Sequence, residues 1–171
     1  ASTAANGSLT LASHSTLHLG TTTTLATLNI GWSQNGNTWY ASGSATGVLD
    51  ASQGSFTAVL STLIIGQTGN AGSASGTFVM GAGTSVNTNT ANIGLGAGAS
   101  VTLRVEGGAL NFTGTDTALN LGTAILEVPS ASFAIGSAVT PVSNLRIGYN
   151  AVATGTATTH INFATTNPSF T

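Results

Sequence analysis

A short motif, aliphatic-x-aliphatic-Gly, returns along this chain and constrains its fold more than any other feature. It stands at Leu28-Asn29-Ile30-Gly31, Leu63-Ile64-Ile65-Gly66, Ala91-Asn92-Ile93-Gly94, Leu119-Asn120-Leu121-Gly122 and Leu145-Arg146-Ile147-Gly148. The glycines follow one another after 35, 28, 28 and 26 residues, and a looser copy, Leu17-His18-Leu19-Gly20, precedes them. A motif carried along at a nearly fixed period marks a repeat architecture, in which each unit buries its apolar face against the next.

Between the copies lie further short alternating segments with a constant internal step. Leu49 is followed seven residues later by Phe56, Val79 by Val86, Leu103 by Leu110 and Leu126 by Phe133. Period-2 alternation over four to six residues describes half-buried strands. Three strands in about 28 residues, separated by Gly, Asn and Ser turns, predict an all-β chain folded as a parallel β-helix (β-solenoid). Each rung holds three strands, and about five rungs fit the length. An antiparallel sandwich would need two-residue hairpin turns, and an amphipathic helix would need i, i+3, i+4, i+7 apolar spacing; the sequence shows neither pattern. Residues 1–171 are expected to form a single solenoid domain, interrupted by an aromatic loop over residues 32–44.

Aligning the rungs gives definite rows. Leu28, Leu63, Ala91, Leu119 and Leu145, with Ile30, Ile65, Ile93, Leu121 and Ile147, line the first face inward. Leu49, Val79, Leu103, Leu126 and Ile161 line the second, and Phe56, Val86, Leu110 and Phe133 the third. Outward ladders follow: Asn29, Ile64, Asn92, Asn120 and Arg146 on the first face, and Asp50, Met80, Arg104, Glu127 and Asn162 on the second. Adjacent ladder members sit about 4.8 Å apart, so the Asn side chains can hydrogen-bond along the stack and Arg104 meets Glu127 in an exposed ion pair. Glycine after each first-face strand fits a corner that demands a positive φ or a close backbone passage.

Composition narrows the function. The chain holds two Lys+Arg and four Asp+Glu, a net charge of −2, with 41% hydrophobic residues. The apolar supply suffices for a core and argues against disorder. Two cations, Arg104 and Arg146, cannot neutralise a phosphate backbone or an anionic lipid surface, so nucleic acid is excluded as a partner. No apolar run approaches the ~20 residues of a bilayer span, so no membrane insertion is expected. With no cysteine there is neither a disulfide framework nor a thiolate metal site. Residues 1–5 carry no charged or long apolar segment of a secretion signal.

Catalytic constellations are sparse. The four carboxylates include no Asp-x-Asp pair, and Asp50, Glu106 and Glu127 each fall on a different rung, which disfavours a carboxylate dyad or a Ca²⁺ cluster. His14 and His18 lie roughly 13 Å apart on a strand, too far for one ion, and serine has no Gly-x-Ser-x-Gly elbow. Gly94-Leu95-Gly96-Ala97-Gly98 lacks the helix and lysine of a phosphate loop. No enzyme activity, cofactor or metal is expected. The Thr residues do not fall into regular Thr-x-Thr rows on the third face, which disfavours ice binding there. Asn6 and Asn111 open Asn-x-Ser/Thr sequons. The candidate binding or assembly residues are Trp32, Trp39 and Tyr40, because exposed aromatics on a loop suit sugars or a second subunit.

Ala45-Thr46-Gly47-Val48-Leu49-Asp50 and Gly54-Ser55-Phe56-Thr57, echoed by Ser75-Gly76-Thr77-Phe78-Val79 and Gly83-Thr84-Ser85-Val86, resemble the strand repeats of bacterial autotransporter passengers and large secreted adhesins. The resemblance covers roughly residues 8–163 and departs from a full autotransporter in lacking a C-terminal membrane barrel. It implies an extracellular parallel β-helix that extends reach, adheres or forms a surface layer. The chain is accordingly expected to act as a non-enzymatic extracellular structural subunit whose partners are copies of itself in a filament, sheath or layer. The alternative is an adhesin module that binds glycans or a cell surface through the aromatic loop. The near-neutral exterior of Asn, Ser, Thr and Ala suits a surface that touches its own copies.

Overall fold

A computed structural model describes residues 4–33, 43–69, 72–129, 139, 141–150 and 156–163. Among them the chain is all-β, with strands β1 (Ala4–Thr10), β2 (Thr16–Leu19), β3 (Ala26–Ser33), β4 (Ser44–Ala51), β5 (Ser55–Thr68), β6 (Ser73–Met80) and β7 (Thr84–Ile93). They continue as β8 (Ala99–Val105), β9 (Ala109–Phe112), β10 (Ala118–Leu121), β11 (Ala124–Val128), β12 (Asn144–Ile147) and β13 (Thr159–Phe163). Every pairing between them is parallel.

The chain shuttles between two sheets. The first runs β1-β4-β6-β8-β11-β13; the second runs β12-β10-β7-β5-β2, with β3 also on β5 and β9 also on β7. Parallel neighbours require a crossover, and here the crossover from each strand of one sheet is a strand of the other, so the molecule coils without helices. This arrangement is compatible with a β-solenoid. The third-face and first-face segments run together in β5 and β7, each a single strand. Inside both strands the alternation resets: two half-buried residues, Ser61-Thr62 and Asn89-Thr90, separate buried Leu60 from Leu63 and buried Thr88 from Ala91.

The core lies between the sheets as columns of equivalent residues. Leu28, Leu63, Ala91, Leu119 and Leu145 are register partners, as are Ile30, Ile65, Ile93, Leu121 and Ile147. Phe56 meets Phe78 edge-on, with ring centroids 6.0 Å apart and planes at 80°, which joins the two sheets across the interior. Both rings are fully buried.

Three expected rows change. In the first sheet Leu49 is followed by Phe78 and then Leu103, while Asp50 is followed by Val79 and Arg104. Val79 therefore points outward, and Met80 is fully buried beside Ala51 and Val105. A one-residue shift in pairing flips every side chain, and within Phe78-Val79-Met80 the unbroken apolar run hid the correct phase. In the second sheet Phe56 pairs with Thr84, whereas Val86 aligns with Ala58 and Leu110. That shift is two residues, so Phe56 and Val86 both stay buried but occupy different columns. Leu17-His18-Leu19 is not a first-face copy, because Leu17 pairs with Phe56. Phe133 lies outside the described residues.

The glycine corners hold. Gly31, Gly66, Gly94 and Gly148 have φ of 65°, 57°, 72° and 68°. A Cβ on Gly31 would run into the Ser75 carbonyl oxygen and one on Gly66 into the Val101 side chain. Gly122 lacks the positive φ, yet its Cβ would collide with the Gly94 carbonyl.

Candidate functional site

Among the described residues, the apolar columns are most exposed in the outermost layers, at Leu9, Leu145 and Ile147. Among the described strands, β1 pairs at one end with β4, and β2 and β3 with β5. Leu9, Leu17, Leu19, Leu28, Ile30 and Phe56 there line an open apolar cavity of about 530 Å³, with Trp32 also contributing. At the other end, among the described strands, β12 pairs with β10 and β13 with β11. Leu145 is 51% exposed and Ile147 57%, whereas their column neighbours Leu119 and Leu121 are 1% exposed.

Sequence reasoning put Leu145 and Ile147 among the inward rows, and by register they belong there. Trp32 sits on β3 opposite Gln67 and is 39% exposed. Trp39 and Tyr40 lie outside the described residues.

The outward ladders form as the register requires. Asn29, Ile64, Asn92, Asn120 and Arg146 are successive partners. Asn120 donates from Nδ2 to Asn92 Oδ1 at 2.8 Å, and Arg146 Nη1 donates to Asn120 Oδ1 at 2.8 Å. The Arg146 guanidinium also lies 5.3 Å from the centroid of the Tyr149 ring. On the other sheet Arg104 bridges Glu106 at 2.8 Å and Glu127 at 3.0 Å, in an exposed cluster.

Three of the four carboxylates are occupied structurally. Glu106 and Glu127 hold Arg104, and Asp50 Oδ1 accepts the Ser52 backbone N–H at 2.9 Å. Hydrogen bonds from the Ser52 side chain and then its backbone N–H lower the Asp50 pKa below the usual aspartate value, with burial opposing them. His14, His18 and His160 are all exposed, and His14 occupies a turn at φ 66°. Among the described residues no three His, Asp or Glu side chains converge where an ion could sit. A second hollow, about 190 Å³, opens on the outer side of the first sheet between Ser100, Thr123, Ile125, Thr158 and His160.

Comparison with protein families, with curated proteins and with solved structures yields no match. The reading of the site therefore rests on its own geometry.

Proposed function

We propose that the protein is a non-enzymatic extracellular structural subunit, a three-sided β-solenoid that assembles with copies of itself into a filament, sheath or surface layer. The reset of alternation inside β5 and β7 supports a corner there and so three strands per rung. The observation that carries the assembly reading is the register: every described pairing is parallel and repeats the same apolar columns from layer to layer, a geometry that a further copy can continue. Open parallel edges are templates for further strands, and soluble monomers blunt them with charge or proline. On the described edge strands β1, β2, β3 and β12, Arg146 is the one formally charged side chain. Covering Leu145 and Ile147 would return about 1 kcal/mol each, by half the usual value for burying an aliphatic side chain. The extracellular assignment follows the resemblance to secreted repeat proteins.

Negative-stain microscopy and sedimentation over a concentration series test this. Regular polymers that grow with concentration support it, and monomers alone at high concentration overturn it.

One observation favours a second reading, an adhesin module. Trp32 is partly exposed and lines the apolar cavity, a placement suited to stacking on a sugar ring. Binding on a glycan array that disappears in Trp32→Ala or Trp39→Ala would support it.

A further inference from the structure

The small hollow on the outer side of the first sheet has a definite local origin. Ala124 pairs with Val101 on one side and with Thr159 on the other, so the residues just before them, Ser100, Thr123 and Thr158, stand in one outward column across three layers. The Ala124 N–H reaches the Thr158 carbonyl at 3.1 Å, which carries the ladder onto that residue. Two positions along the strands the column is Thr102, Ile125 and His160. Short hydroxyl side chains therefore lie beside the taller Ile125 and His160, and the step in height opens a space of about 190 Å³.

The polar groups around this space are not used elsewhere. The hydroxyls of Ser100, Thr123 and Thr158 and the His160 ring make no side-chain hydrogen bond to another described residue. Thr159, one position along, is the contrast: its hydroxyl donates to the Gly122 carbonyl at 2.6 Å and accepts the Gly148 N–H at 3.0 Å. The four unused groups supply donors and acceptors alike, since a hydroxyl can act as either and a neutral imidazole presents one nitrogen of each kind. Ile125, 39% exposed, adds an apolar wall.

Charge and size decide what fits. With histidine neutral, none of the described residues lining the hollow carries a formal charge. Arg104, on the same sheet, is already held by Glu106 and Glu127. An anion would find no counter-charge there and would meet the field of Glu127, two residues from Ile125 on the same face. Pockets for drug-sized ligands begin at about 300 Å³, so this smaller space holds a single ring. A sugar ring matches it, with hydroxyls at its rim for the polar groups and a C–H face for Ile125.

We infer that the hollow between β8, β11 and β13 is a binding site for one neutral sugar ring, free or at the end of a glycan. The site shares no residue with the cavity at Trp32 and does not depend on self-assembly.

NMR of the whole chain, titrated with the methyl glycosides of glucose, galactose and mannose, reads the site. At least one of them is expected to give saturable shifts, in the millimolar range, confined to residues 100–102, 123–125 and 158–160. Thr123→Val keeps the branched shape and deletes one hydroxyl, and His160→Ala removes the ring; each is expected to weaken binding about tenfold while the rest of the spectrum stays in place. No saturable shift with any of the three sugars overturns the inference, as does binding unchanged in both variants. Equal shifts from inorganic phosphate overturn the neutral-ligand assignment. A tetrasaccharide of the bound sugar is expected to bind no more tightly than the single ring; a tenfold gain would mark a longer groove and overturn the one-ring assignment. Shifts centred on Trp32 and lost in Trp32→Ala would assign sugar binding to the adhesin reading above and overturn this site.

Discussion

Asn120 donates its side-chain N–H to Asn92 one strand away, and its own oxygen receives Arg146 from the strand on the other side. Asn120 is 6% exposed, so both bonds sit largely out of water. Asn120→Ala is expected to lower stability by about 1–3 kcal/mol, since it strands the Asn92 oxygen and frees the Arg146 head. Urea unfolding of the two proteins reads the difference, and Arg146→Ala should cost less because that residue is exposed.

The corner glycine Gly31 should be intolerant where Gly7, inside strand β1, is not. Gly31→Ala combines a left-handed φ, roughly 1–2 kcal/mol for an L-residue, with a collision against the Ser75 carbonyl. Gly7→Ala meets nothing within 4 Å and has no positive φ. Thermal melting should show a large drop for the first and little or no loss for the second.

Phe56 and Phe78 tie the two sheets together. Phe78→Ala is expected to cost about 3–5 kcal/mol through lost burial and the cavity left behind. A double-mutant cycle with Phe56→Leu and Phe78→Leu should give a coupling of about 0.5–1.5 kcal/mol for the edge-on contact.

Asp50 sets an acid limit. Its pKa is lowered in the folded state by the Ser52 hydrogen bonds, so its contribution is complete above the ordinary value of 3.8 and fades as pH falls through the lower folded value. Asp50→Asn should therefore be less stable than the parent at neutral pH, with the gap closing in acid. Denaturation midpoints measured from pH 7 down to pH 2 check the sign.

The register of the first face was legible because its motif is asymmetric: a polar residue between two aliphatics, then glycine, fixes both phase and direction. Asn29, Ile64, Asn92, Asn120 and Arg146 line up in the structure as the sequence spacing requires. The Arg104–Glu127 contact came out for the same reason, since Leu103 and Leu126 each have an unambiguous polar successor. Phase was lost at Phe78-Val79-Met80, where three apolar residues in a row carry no period. The two-residue shift between Phe56 and Val86 was invisible because period-2 patterns survive it.

In both sheets the ladder hydrogen bonds run from one layer to the next, across the strands. A tension applied in that direction loads the layers in series, so the narrowest one sets the force at which the stack parts. Among the described residues, pairing between β5 and β7 extends from Phe56 to Ile65, and between β10 and β12 from Ala118 to Leu121. Pulled in that direction, the described β10–β12 pairing should part at a lower force than the long β5–β7 pairing.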